Sequence, residues 1–484
     1  MSVANRTNGR LTDRPSEGPV LCFACLALIA SLPACDSGSG PPVNLVDVGE
    51  DVDDVFRLAF ADHGKQAFVN FRKTSVTGPI EDWHDWLAVI DVGGWVPIHE
   101  FEADSTIGNG FSCADDHVVI FDVDRQAQDG LEYTLEAWDI AQDVQLATHV
   151  GTEWPLPHDS PWGPTWPHLY ECDPGPNTMF FRLHKDRVIA LDGTTGELLR
   201  AYLDPGQTAY FDFFIQPAQD RLVWVEYQAI TAIDTEFPAE VRVYRLSTAE
   251  LLGAVDIMQG AILVAPAEYL YLDEDHIAML TGAIPNVCTG ITMKLVDLTG
   301  PSIEQVRCIP DRSWGGGYSM GENGLAVVVG AERSDGCWEI RSMDLGTGED
   351  LGRKALCAFA WPGYDAFREI GRILVSDTGG SREAWTVLGF PGFENVATGS
   401  WPTTWDAWKF VKSEGWVAQQ SYHTDDFGLF DIIAGRQLEL GHLCEGVVQG
   451  AIRVDPTERW AATLCSGDRP GLAVVDLDDY RPTP

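Results

Sequence analysis

An all-β architecture is predicted by three features of the sequence. An apolar run ending in Asp, a Gly- or Thr-containing turn and a second apolar run recur along the chain; two further strand-like runs joined by a turn separate the copies; and no stretch shows sustained helical spacing. The pattern is clearest at residues 188–202, "VIALDGTTGELLRAY", and returns in "WLAVIDVGGWVPIHEF", "LEAWDIAQDVQLATHV", "VRVYRLSTAELLGAV", "MKLVDLTGPSIEQVRC", "IRSMDLGTGEDLGRKA", "FGLFDIIAGRQLELG" and "GLAVVDLDD", with a divergent copy lacking the Asp in "AWTVLGFPGFENVAT". The turn residues are Asp91, Asp139, Asp192, Arg245, Asp297, Asp344, Gly389, Asp431 and Asp476, at intervals of 42 to 53 residues. Four short strands per period of this length build propeller blades rather than helical repeats.

Taken in chain order, the first element is a leader. Arg6, Arg10 and Arg14 precede an apolar stretch from about Val20 to Ala34, the layout of a secretory signal and too short for a permanent membrane span. It ends in Leu32-Pro33-Ala34-Cys35, which resembles the bacterial lipobox, in which the cysteine is lipidated and becomes the new N-terminus. Residues 1–34 are therefore expected to be removed, taking Cys22 and Cys25 with them, and Cys35 to carry the lipid. Residues 35–50, beginning Asp36-Ser37-Gly38-Ser39-Gly40-Pro41-Pro42, read as a flexible tether.

Residues 51–484 are then one propeller. Nine turn markers would mean nine units, but Arg245 and Gly389 match the pattern poorly, and the expectation is eight blades, with seven and nine open. The last copy ends soon after Asp476, and a segment near "PPVNLVDVGED" is placed to supply its missing fourth strand and close the ring.

The remaining cysteines, Cys113, Cys172, Cys288, Cys308, Cys337, Cys357, Cys444 and Cys465, form an even set, which in an exported chain reads as disulfides. Cys288 with Cys308 and Cys337 with Cys357 are centred on hairpin turns, where facing Cβ atoms are close enough to bond. Cys444 and Cys465 bracket "DPTER" in the same way, and Cys113 and Cys172 precede equivalent turns of consecutive units.

"ALDGTTG" resembles the repeat of the quinoprotein-type propellers, with Ala190, Asp192, Thr195 and Gly196 in place and Arg200 where that repeat has a docking Trp. The chain as a whole looks like a bacterial lipoprotein carrying a β-propeller of quinoprotein-like or WD-like repeats, similar to the lipid-anchored propeller scaffolds of outer-membrane barrel assembly. That resemblance implies the fold and an anchored scaffold; fold alone does not give function.

The formal charge is −41, and the chain without its leader stands near −42, because the leader holds three arginines and two carboxylates. Such a surface repels nucleic acid. The partner expected is an envelope protein or a glycan, with the membrane reached through the N-terminal lipid, and the protein is expected to be a monomer.

Three sequence features bear on chemistry. Gly317-Tyr318-Ser319-Met320-Gly321 fits the GxSxG pattern, but a nucleophile elbow needs a helix after the serine and "ENGLAVVVGAE" reads as a strand. Asp122, Asp124, Asp129 and Gly130 resemble a calcium loop only loosely, so calcium is left open and no other cofactor is expected. Eleven histidines are scattered without zinc-site spacing. No catalytic residue is assigned; a propeller oxidoreductase or lyase with its site at the channel mouth is the alternative function. Trp154, Trp162 and Trp166, among prolines between two blades, are the candidate binding residues, and Trp401, Trp405, Trp408 and Trp416 form a second group. Trp-Pro recurs at 154–155, 361–362 and 401–402, which favours packing between blades as their other role.

Overall fold

The third strand of every sheet in the computed structural model ends on one of the nine turn markers. Its described residues are 44–48 and most of 52–481; residues 1–43 and connecting segments such as 154–169, 228–239, 258–267 and 282–290 lie outside them. They form nine four-stranded antiparallel sheets, where eight blades were expected. The correction comes from the two poor matches: Arg245 closes the strand Glu240–Arg245 and Gly389 closes Ala384–Gly389, each in a complete sheet of its own.

The sheets follow chain order as 54–103, 106–153, 170–203, 210–256, 268–309, 318–356, 362–400, 407–442 and 447–476, the last completed by Asn44–Val46. That N-terminal strand pairs antiparallel with Gly471–Asp476, Asn44 opposite Val474 and Val46 opposite Leu472. The expected closing strand is thus in place, and it falls within residues 35–50, which were expected to be tether. Residues 40–484 form one compact unit.

The core lies between sheets. At the junction of the ninth sheet with the first, Val55, Val69, Phe71, Ala88 and Ile90 pack on Ala462, Leu464, Leu472 and Val474, and Trp95 meets Trp460 edge-on at 5.5 Å. Comparable clusters fill the junctions from the sixth sheet round through the ninth and first to the fifth. First strands of neighbouring sheets touch at several of these junctions, and the fourth strands carry the exposed aliphatics, Val96, Leu198 and Leu251 among them. The first strands are therefore innermost, the fourth outermost, and the chain is a β-propeller.

The hairpin after the third strand explains the marker pattern. Asp91 Oδ2 accepts from the Gly94 amide, Asp139 Oδ1 from Gln142, Asp192 Oδ1 from Thr194 and Thr195, Asp297 Oδ1 from Thr299 and Asp431 Oδ1 from Ala434, each carboxylate holding its own turn as short polar side chains do. The two divergent units keep a carboxylate by another route. In the fourth sheet Asp220, from the neighbouring hairpin, accepts from the Ser247 amide and hydroxyl, both at 2.7 Å. In the seventh a Cβ at Gly389 would overlap the Glu394 carboxylate.

Four residues past the marker the backbone turns left-handed, at Trp95, Asp143, Gly196, Ala249, Phe393 and Gly435, followed by a register shift between third and fourth strands, the turn-plus-bulge hairpin. This residue faces the preceding sheet. Phe393 is buried among Trp338, Ile340 and Leu356, while a Cβ on Gly196 would overlap that of Ala137. Arg200, standing where the quinoprotein-type repeat has its docking Trp, also bridges sheets: its Nη1 donates to the Leu246 carbonyl of the fourth sheet at 2.8 Å.

Two outcomes follow for denaturant unfolding. Gly196→Val adds strain at positive φ to a clash with the second sheet and should cost about 3 kcal/mol. Asp220→Ala should cost about 1 kcal/mol, and Arg245→Asp in that background should restore most of it by returning the carboxylate to its usual place; no recovery would show that Asp220 does not stand in for the missing Asp.

Candidate functional site

The antiparallel meander sorts the connections into two ends. Every described turn between first and second strands, and between third and fourth, falls at one end, and all of these connections are four or five residues long. The opposite end receives the connections between second and third strands and those between sheets, including 154–169, 228–239, 257–267 and 282–290. One end is closed by short, carboxylate-held hairpins. The other carries nearly all the variation in length and sequence, and surface loops on a rigid frame are where binding residues concentrate.

Disulfides reinforce both ends. Cys337–Cys357, with Cα atoms 4.2 Å apart, and Cys444–Cys465, at 5.6 Å, lie at the loop end, beside the starts or ends of strands that face it. Cys113–Cys172, at 5.6 Å, joins the hairpin-end tips of the second and third sheets' innermost strands. All three pairings are those expected from the blade register. Cys308 lies on Ser302–Ile309; Cys288, Cys35 and the leader lie outside the described residues.

Trp154, Trp162 and Trp166 also lie outside them, as do Trp401 and Trp405. Trp416 is buried between the eighth and ninth sheets and is a packing residue. Ser319 sits within the strand Tyr318–Met320, paired to Val328 of a second strand. With a strand rather than a helix following it, the geometry of a nucleophile elbow is missing. Asp122 and Asp124 belong to the strand His117–Asp124, and Asp129 and Gly130 lie outside the described residues. Among the described residues no three His, Cys, Asp or Glu side chains converge as metal ligands.

One titrating cluster was not anticipated from sequence. At the hairpin end of the fifth sheet His276 Nδ1 lies 2.8 Å from Asp273 Oδ1, and Nε2 lies 3.5 Å from Glu304 Oε2. Partial burial lowers the imidazole pKa, but the hydrogen bond with Asp273 and the fields of Asp273, Glu304 and Asp297 outweigh it and hold the pKa above its ordinary value. The run Asp273-Glu274-Asp275-His276 carried the signal; what sequence could not place was Glu304, on the fourth strand.

A deeper lysine braces the fourth and fifth sheets. Lys294 is 1% exposed and its Nζ donates to the Ile257 carbonyl. Burial pulls its pKa down, with Asp256 opposing.

No protein-family model matches the sequence, and neither does any curated protein. Many solved structures resemble the fold. A eukaryotic initiation factor superposes with a TM-score of 0.54 at 11% identity, over 84% of this chain and 90% of that one. The Dos1 propeller gives 0.48 at 9% identity, over 90% and 95%, and BamB from Moraxella catarrhalis 0.43 at 10%, over 78% and 96%. At such identities the likeness concerns the fold alone.

Because the folded-state pKa of His276 is raised, its contribution is present in full below the unfolded value of about 6.5 and is lost as pH rises through the folded value. His276→Gln should therefore cost about 0.5 kcal/mol at pH 5.5 and nothing at pH 9, read as the difference between urea unfolding curves at the two pH values. An equal cost at both would mean that the imidazole is never charged in this setting.

Proposed function

We propose that this chain is an exported, lipid-anchored propeller that acts as a binding or scaffolding module at a bacterial cell-envelope surface, with its loop end turned to an envelope protein or a glycan. The observation carrying this reading is the division between the two ends. Short hairpins held by carboxylates fix one end and two described disulfides staple the other, where the strands Val144–Glu153 and Asn395–Ser400 end and Tyr170–Asp173 and Ala407–Val411 begin; Trp162 and Trp405 lie in the sequence between them. A rigid frame presenting aromatics costs little entropy when it binds. Disulfides suit an oxidising compartment, and the lipobox-like Leu32–Cys35 stretch supplies the anchor. Nine blades, closed by the strand Asn44–Val46, are the count proposed for the ring.

Crosslinking in intact cells, followed by purification and mass spectrometry, tests the reading. A discrete envelope partner should be captured by the wild-type chain, lost with Cys35→Ala, and reduced at least tenfold by Trp162→Ala with Trp166→Ala while the melting temperature is unchanged. A marked fall in melting temperature would make those tryptophans packing residues, and no partner above background would transfer the weight to chemistry at the channel mouth.

A further inference from the structure

The inner edge of the ring is uneven in charge and in regularity. Three consecutive innermost strands, Ala407–Val411, Val447–Val454 and Asp54–Phe60, carry Lys409, Arg453 and Arg57, the last strand also beginning with Asp54. Around the rest of the ring, the innermost strands of the third, fourth, fifth and seventh sheets carry Glu171, Asp212, Glu268 and Asp365. In a chain with 32 basic residues against 73 acidic ones, three neighbouring cations on these strands run against the composition.

Register aligns two of them. Lys409 is paired to Ala418 and Arg453 to Ala462, the same distance behind the first hairpin in consecutive sheets, and both side chains are exposed. Arg57 is half-buried on the next strand, which touches that of Arg453.

The backbone is irregular in the same sector. Pairing of the innermost strand shifts between Gln449 and Arg453 in the ninth sheet, between Val55 and Arg57 in the first and between Ile107 and Asn109 in the second. Innermost strands of the third to eighth sheets pair without a shift. Both arginines therefore stand at the end of a bulge, a feature that re-aims side chains and recurs beside binding sites. Burial first, and then the positive field of Arg453, push the Arg57 pKa down. The field of Arg453 on Arg57 is repulsive, and a negative group between them relieves it.

We propose that Arg57, Arg453 and Lys409 form an anion site at the inner edge of the ring, taking an oxyanion of two or more negative charges, either a phosphate or a polycarboxylate. Guanidinium groups match the paired oxygens of both, and the lysine adds a point charge. The carboxylates on the innermost strands of the third, fourth, fifth and seventh sheets disfavour such a ligand there. This site is independent of the loop-end reading, since it lies on strands and needs none of the tryptophans.

Calorimetric titration of the full chain with inorganic pyrophosphate and, separately, citrate tests the site. One saturable site is expected for at least one of them: pyrophosphate alone assigns a phosphate ligand, citrate alone a carboxylate ligand, and both a site for either. Arg453→Gln and Lys409→Gln should each weaken binding about tenfold, the loss of one charge-assisted contact, whereas Arg353→Gln on an outermost strand should leave it unchanged. Without ligand, Arg453→Gln should melt no lower than wild type, because a repulsion has been removed. Absence of binding to both probes, equal weakening by the Arg353 variant, or a clear loss of melting temperature in ligand-free Arg453→Gln would each overturn the proposal; the last would mean that the arginine is a structural partner.

Discussion

The hairpin that ends each third strand is the constraint on which the rest of the ring depends. Its carboxylate fixes the turn, a left-handed residue stands four positions past the marker in six of the described hairpins, and that residue meets the preceding sheet. Local turn chemistry thus sets the spacing between sheets. Where the slot is roomy it takes Trp95 or Phe393, and where the preceding sheet presses close only glycine fits, as at Gly196 beside Ala137. A sheet-on-sheet core packed at the density of an organic crystal cannot absorb an error in that spacing, which explains why the carboxylate persists even in units that have lost the marker Asp.

The repeat was legible because its signal is local. An Asp hydrogen-bonding to amides two or three residues on leaves a sequence trace that strand pairing does not, so all nine third strands could be placed from their ends. The eight-blade expectation discounted Arg245 and Gly389 because the substitute carboxylates come from outside the marker position, Asp220 from another hairpin and Glu394 from further along the turn. Three disulfides were legible for a similar reason: hairpin register converts sequence spacing into Cβ proximity. Arg200 in the docking position shows the limit of a family motif, since an inter-sheet hydrogen bond to Leu246 replaces the ring expected there.

The functional surface was less legible, because it is assembled from positions tens or hundreds of residues apart. Glu304, on the fourth strand, reaches His276 on the second, and Arg57 comes beside the strand of Arg453 only because the ninth sheet packs on the first. Nothing in a linear reading marks Arg57 as adjacent to Arg453. Ring closure creates that adjacency, and it depends on the three-residue strand Asn44–Val46, the shortest way for the N-terminus to lock onto Gly471–Asp476.

Closure also accounts for where the irregular strands lie. A ring sealed by a strand from the far end of the chain has one sector in which the two termini must be reconciled, and the bulged innermost strands belong to the ninth, first and second sheets. Elsewhere the innermost strands pair with their neighbours without a register shift. At the seam the repeat is broken, so residues there are released from the packing rule that governs the others. A symmetric ring offers many equivalent positions and no reason to prefer one; the seam supplies the asymmetry, and a basic sector in an acidic protein is the use of it that the charges favour. The loop end and the seam are thus two products of one architecture, the first arising where connections are long and the second where the repeat must close.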